Sequence, residues 1–374
     1  MKFFIIAGEA SGDVHGANLV KELLKIYPNA EISGTGGINL KSLGQKQYFT
    51  DKDMAIIGFV EVFKKLPFIF KMFSTIEKAI KEEKPDIIIL IDYPGFNLRL
   101  AKKIKKYNIP VVYYIAPQFW VWHYSRIFTL KDYCDLTISI LPFEMDYFKK
   151  ENVNGFYAGN PVVDNFKFRF KDKKEFLDNL SFSGNRKIIG ILPGSRKREI
   201  ISLMPAFMDA ALEYDNIDFV ISKADNISDE LINQFIPKKD NIKVLSHAQY
   251  DIMQHSDFIW ACSGTVTLET AIFEKPMIIA YSASKINVFL AKKLSNLRTI
   301  GLPNIMAGYE LLPEVHCIGD GSAKKEMIIE AYNKAMDNIE TIKKELAIIS
   351  SKFKGKNPSF LAAEKIAELI NKNK

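Results

Sequence analysis

Cysteine is nearly absent from this chain: three residues (Cys134, Cys262 and Cys317) occur among 374, and no two share a paired spacing. That excludes a disulfide framework and a cysteine-based zinc site, and it predicts reduced thiols in a cytosolic compartment. The histidines (His15, His123, His247, His255 and His316) are scattered too, with no His-x-x-x-His pair on one helical face. Asp51-Lys52-Asp53 does spell an Asp-x-Asp pattern, but such triplets arise by chance in polar segments, and no metal is expected. Long apolar runs are also missing. Val111 to Trp122, among the longest, falls short of the ~18 residues a spanning helix needs, so any membrane association should be peripheral. The first residues run straight into a strand pattern without a basic region and cleavage site, which reads as no secretory signal. Gly8, Gly12, Gly36 and Gly37 do not make a Gly-x-Gly-x-x-Gly fingerprint, and no glycine turn is followed by a Walker lysine. A nicotinamide or other cofactor is therefore not expected. Basic residues interleaved with aromatics would suit RNA, but no RNA-binding module pattern is present, so no nucleic-acid partner is expected. There is no short repeat and no low-complexity tract.

What is present is an ordinary globular composition, 48% apolar and 25% charged, in a chain too long for one core. The net charge of +7 suits an anionic membrane surface or a phosphorylated substrate. The organising stretch is Lys187 to Glu199, KIIGILPGSRKRE, an apolar run that breaks at Pro193-Gly194 and enters a helical pattern. A buried parallel strand, a glycine turn and a helix start read this way. Phe3 to Ala7, followed by Gly8-Glu9-Ala10-Ser11-Gly12-Asp13, repeats that grammar half a chain earlier. Two α/β domains with doubly wound parallel sheets, facing each other across a cleft, are the expected architecture. Further strands are expected at Glu31 to Gly36, Ile87 to Ile91, Val111 to Ile115 and Leu136 to Leu141. In the second half they fall at Phe219 to Ser222, Ile242 to Leu245, Phe258 to Ala261 and Met277 to Tyr281. The turn-rich Tyr157 to Asp164 reads as the linker, and two amphipathic helices, about 323 to 349 and 359 to 371, close the chain.

Several turns carry candidate chemistry. Gly194, Ser195 and Arg196, together with Ser263, Gly264 and Thr265, form two strand-to-helix turns whose N–H groups and hydroxyls suit phosphate oxygens. Glu269, a turn inside the second helix, could take ribose hydroxyls; an ordinary capped helix is the competing reading. Ser11 and Gly12 lie in the opening turn. Asp92 ends the clearest buried strand, where ligands of open α/β sheets gather, and is the candidate general base; capping the next helix is the alternative. Glu9 and Asp13 are rivals for that role. Trp120 and Trp122 read as a binding wall or as core. Met54 to Phe73 is ambiguous in the same way. Phe59, Phe63, Leu66, Phe68, Ile69 and Phe70, with interleaved lysines, read either as a core helix broken at Pro67 or as a bilayer-docking surface.

In order along nearly the whole chain, Gly8 to Asp13, Ile57 to Val62, Ile91 to Asn97, Pro117 to Trp122, Leu141 to Glu144, Leu192 to Arg196, Ser263 to Thr265 with Leu268-Glu269, and Leu302 to Gly308 closely resemble the lipid-A-disaccharide synthase family. The resemblance implies a GT-B glycosyltransferase: a Rossmann-like acceptor and membrane-docking domain over 1–163, a UDP-sugar-binding domain over 164–349, and a final helix, 350–374, returning to the first. It implies transfer of 2,3-diacylglucosamine from its UDP carrier to the 6-hydroxyl of 2,3-diacylglucosamine 1-phosphate, with inversion and without metal. It matches Asp92 to the family's essential aspartate, Arg196 to the arginine of its Pro-Gly-Ser-Arg turn, and Asn304 to the asparagine of its Leu-Pro-Asn segment; Asn97 falls in the matching Asp92 segment as an acceptor-side candidate. Gly95 stands where many relatives carry a second acid, and His123-Tyr124-Ser125 replaces a more basic triplet. The implied location is the cytoplasmic face of the inner membrane of a Gram-negative bacterium, as monomer or homodimer. A UDP-sugar 2-epimerase on the same scaffold and a non-catalytic lipid-binding protein remain as rivals.

Overall fold

Ile87 to Ile91 has no polar side chain and lies wholly buried, because a parallel strand in the middle of a sheet is covered on both faces. It is β4 of a sheet described, with the rest of the chain, by a computed structural model covering residues 1–54, 66–283, 299–318 and 323–372. The chain divides into two compact units, residues 1–165 with 355–374, and residues 166–354.

The first unit holds seven strands: β1 (Lys2–Ala7), β2 (Glu31–Gly36), β3 (Lys46–Thr50), β4, β5 (Val111–Tyr114), β6 (Leu136–Ser139) and β7 (Gly155–Tyr157). They lie in the order β3-β2-β1-β4-β5-β6-β7, and every pairing is parallel. Alternation along β1 and β4 sends Phe4, Ile6, Ile88 and Leu90 into one core cluster. Phe3, Ile5, Ile87, Ile89 and Ile91 enter the other, on the opposite face. The helix Pro358–Lys372 lies against the helix Ala10–Ile26, and its Ala362, Ala363, Ile366 and Ile370 complete that second cluster. The pairing of Ala7 with Ile91 ends β1 and β4 level, so their following loops leave the sheet side by side. This is where the strand order reverses, the point at which such sheets bind ligands.

The second unit repeats the plan with β8 (Lys187–Leu192), β9 (Ile217–Lys223), β10 (Ile242–Ser246), β11 (Phe258–Cys262), β12 (Met277–Ala283) and β13 (Glu314–Ile318). Their order is β10-β9-β8-β11-β12-β13, all parallel. The reversal falls between β8 and β11, and Leu192 pairs with Ala261.

Two sequence expectations change. The helix expected over 323–349 is two, Lys325–Asp337 and Ile339–Ser351. Asn338 leaves helical geometry between them at ψ 17°, its side-chain amide donating to the Lys334 carbonyl. Among the described residues Pro67 interrupts no helix; it sits in the first turn of Leu66–Glu83, where a missing N–H costs nothing.

Candidate active site

Gly8, Glu9 and Ser11 follow β1, while Asp92 and Tyr93 follow β4, so the reversal point of the first sheet is lined by both loops. Asp92 and Tyr93 are consecutive non-glycine residues in the left-handed region, at φ 43° and 45°. Such backbone costs about 1–3 kcal/mol per residue and persists only where its surroundings impose it. Here the Asp92 carbonyl accepts hydrogen bonds from the Tyr113 hydroxyl at 2.6 Å and the Asn97 amide at 2.8 Å. Asn97 also donates to the Ile91 carbonyl at 3.1 Å. The Asp92 N–H continues the ladder to Tyr114. Tyr93 is tied by its hydroxyl to the Met54 carbonyl at 2.6 Å, and its ring lies so close to Gly8 that a Cβ there would come within 2.4 Å. The strand end is thus clamped through main-chain atoms, leaving the Asp92 side chain to take the Tyr93 N–H alone among the hydrogen bonds that lower its pKa. Desolvation, reinforced by the nearby Glu9 charge, lifts that carboxyl to about 6, against weaker pulls from the Tyr93 N–H and the Arg126 guanidinium. A carboxylate with a raised value at this place in the sheet is a candidate general base.

The rivals and helpers separate. Asp13 is buried, and its two oxygens take the N–H groups of Gly37, Asn39 and Leu40 at 2.7, 2.9 and 3.0 Å and the Asn39 side-chain amide at 2.8 Å. It caps the helix Ile38–Ser42 and has no free face for a substrate. Gly12 is buried against Ala7 and Ile91, letting the first helix approach the sheet. Glu9 and Ser11 are exposed at the start of that helix. Asn97 is buried and acts on main-chain carbonyls, so it is brought to the site as a support for Asp92 rather than as a substrate contact. Asn304 lies in the second unit, wholly buried, binding the Leu312 main chain in both directions and the Glu314 carboxylate. Its polar atoms are engaged in holding that corner.

In the second unit the two predicted turns meet at the reversal point. Gly194 has φ 104°, and its lack of a side chain admits the Glu199 carboxylate, which would lie 2.3 Å from a Cβ. Glu199 accepts from the N–H groups of Ser195 and Arg196 at 3.0 and 3.1 Å and pairs with the Arg196 guanidinium at 3.3 Å. The Arg196 side chain is otherwise open, 83% exposed. A carboxylate therefore sits on the donors that a phosphate would use. On the neighbouring strand Ser263 is half-buried, Gly264 and Thr265 are exposed, and the helix Thr265–Ile272 begins there. One turn in, Glu269 is buried, its carboxyl pushed up to about 7 by desolvation and held down by a 2.6 Å bond from the Gln249 amide.

Of the apolar segment, Phe59 and Phe63 lie outside the described residues, as does the Leu66 side chain. Phe68 and Ile69 are half-buried against the first core, with Phe68 edge-on to Phe49 at 5.9 Å. Phe70 stands 68% exposed.

Sequence reasoning passed over Glu144, which is fully buried where the chain leaves β6. It accepts from the Ser139 hydroxyl at 2.6 Å and the Trp120 indole N–H at 3.0 Å, and burial pushes it up to about 7. This fastens Trp120, leaving Trp122 exposed with the Arg126 guanidinium over its ring at 5.3 Å. Arg126 was also missed. The signal available in the sequence was Leu-Pro-Phe-Glu at the end of a strand, the same placement that singled out Asp92.

A family model described as lipid-A-disaccharide synthetase matches residues 3–370. The lipid-A-disaccharide synthase of Geobacter metallireducens is 33% identical, over 100% of this chain and 98% of that protein. That of Syntrophus aciditrophicus is 35% identical over 99% and 98%. Among solved structures, a calicheamicin glycosyltransferase superposes with TM-score 0.63 at 13% identity, covering 99% of this chain and 98% of that one. The UDP-N-acetylglucosamine 2-epimerase from Neisseria meningitidis bound to UDP-GlcNAc gives 0.61 at 16%, covering all of both chains. At these identities the structural likeness establishes a shared GT-B fold.

Proposed function

The chain belongs to the lipid-A-disaccharide synthase family, a family of glycosyltransferases, and from that premise we propose the specific reaction. It transfers 2,3-diacylglucosamine from UDP-2,3-diacylglucosamine to the 6-hydroxyl of 2,3-diacylglucosamine 1-phosphate. Asp92 takes the proton of that hydroxyl as its oxygen attacks the donor's anomeric carbon. The bond to the UDP oxygen breaks on the opposite face, so configuration inverts and the electron pair leaves with UDP. The Ser195 and Arg196 N–H groups and the Arg196 guanidinium receive the pyrophosphate, which displaces the Glu199 carboxylate from them. The turn at Ser263 to Thr265 takes further phosphate oxygens, and Glu269 takes the ribose hydroxyls. Both substrates carry acyl chains, so the enzyme works on the cytoplasmic leaflet of the inner membrane, with the exposed Phe70 among its docking residues.

The observation that carries this reading is the clamp on Asp92: four hydrogen bonds hold its main chain and its two neighbours, while the carboxylate is left for chemistry. The test is Asp92→Asn, which should lower turnover by roughly 10²–10⁴-fold while UDP binding persists. Turnover within a few-fold of wild type would remove Asp92 as the base. Release of UDP from UDP-N-acetylglucosamine alone, or its epimerisation, would favour the epimerase reading instead.

A further inference from the structure

Arg126 opens the helix Arg126–Tyr133, its N–H donating to the His123 carbonyl at 2.9 Å, and His123 turns the preceding loop at φ 57°. The guanidinium lies over the Trp122 ring, 5.3 Å from its centre, a placement that orients the planar fork and shields one face. Some other cations of this unit have found acids: Lys103 and Lys106 meet Glu77, and Lys46 meets Glu83. Among the described residues, no carboxylate lies within ion-pair distance of Arg126. The loop that carries it leaves β5, which pairs with β4 up to Ile91 and Tyr114 and takes the Asp92 N–H on the Tyr114 carbonyl, so Arg126 follows the strand next to the one that ends at Asp92. A half-buried, pre-oriented guanidinium without an acid, on the loop neighbouring the proposed base, is suited to an anionic group carried by the molecule that the base deprotonates.

We propose that Arg126, braced by Trp122, reads the phosphomonoester of the acceptor sugar and so selects a phosphorylated acceptor over its phosphate-free analogue. This rests on the transferase reading above. The donor's phosphates have separate donors at Ser195 and Arg196, so the two anionic groups are sorted between the two units. Bidentate binding to phosphate also explains an arginine at this position, since lysine offers only a point charge.

The test compares 2,3-diacylglucosamine 1-phosphate with 2,3-diacylglucosamine as acceptors for the wild type, Arg126→Ala and Arg126→Lys. Arg126→Ala should raise KM for the phosphorylated acceptor roughly ten- to hundredfold, with little change for the phosphate-free one and with UDP affinity unaltered. Arg126→Lys should fall between. Equal losses on both acceptors would overturn the proposal, because Arg126 would then act only through Asp92. If Arg126→Ala no longer binds UDP, the same comparison is decided on Arg126→Lys: a KM that rises on the phosphorylated acceptor alone supports the proposal, and unchanged discrimination overturns it. A wild type that releases no UDP from the acylated pair refutes the transferase reading itself. Wild-type turnover with unchanged discrimination in the variants refutes this inference and leaves that reading standing.

Discussion

Asp92 couples backbone strain to chemistry. Its left-handed φ lifts the side chain off the end of a fully buried strand, and Tyr113 and Asn97 hold that geometry through the carbonyl. The same burial that makes it a fit base makes its charge costly. Its folded value, about 6, exceeds the 3.8 of an unperturbed aspartate. The associated stability is therefore fully present below the unfolded value and lost as pH rises through about 6. Two outcomes follow. The kcat/KM profile should fall on acidification through about pH 6, as the base becomes protonated. Asp92→Asn should raise the apparent melting temperature at pH 8 while lowering turnover by roughly 10²–10⁴-fold, since the amide keeps the shape and removes the desolvated charge. A melting temperature lowered at pH 8 would mean that the carboxylate is structural. Asp13, in the first turn of the helix that follows β1, shows what a structural carboxylate looks like, with four donors on two oxygens.

The helix Leu66–Glu83 is the element whose role the sequence left divided between core and membrane. Its residues split within about two and a half turns: Met72 and Ile76 are fully buried, Phe73 stacks on Phe96 at 4.1 Å, Phe68 and Ile69 are half-buried, and Phe70 faces out. Phe70→Ser should therefore weaken binding to anionic vesicles while leaving the melting temperature within a degree or two, which flotation and thermal melts would check together. Phe68→Ser should lower stability by about 1–3 kcal/mol through lost packing against Phe49 and the core, whatever it does to vesicle binding. If Phe70→Ser leaves vesicle binding intact, this exposed aromatic has no docking role.

Across the whole molecule, desolvated acids with raised values recur in both units: half-buried Asp92 at about 6, and buried Glu144 and Glu269 at about 7. His15 works oppositely, since burial lowers it from 6.5 to about 4. Its contribution is complete above 6.5 and is lost as pH falls through about 4, so the two trends compete between those values. Above 6.5 the acids act without that opposition. The apparent unfolding temperature should thus decline as pH rises from about 6.5 to about 8, and Glu144→Gln combined with Glu269→Gln should flatten the slope. A rising or flat wild-type profile over that window would contradict raised pKa values for these acids.

The parts of the fold legible in the sequence were those whose side chains all face apolar surroundings. β4, β8 and β11 stand out as continuous apolar runs because a central parallel strand is covered on both sides. The strands that escaped notice, β3, β7 and β13, are all sheet edges. Their side chains are partly exposed, so Lys46-Gln47, Gly155 and His316 interrupt any pattern. Sequence also located the two strand-to-helix turns at Gly194 and Gly264 and the strand end at Asp92, because a strand-turn-helix break is a local event written in a few adjacent residues. It could not separate Asp92 from Asp13, or assign Asn97, Asn304, Glu144 and Arg126. Those roles depend on which donors, aromatic rings and charges from distant segments converge on each side chain. Composition and local order determined where the chain would turn and what chemistry it carried; only the packed structure decided which carboxylate was tied down and which was left free to react.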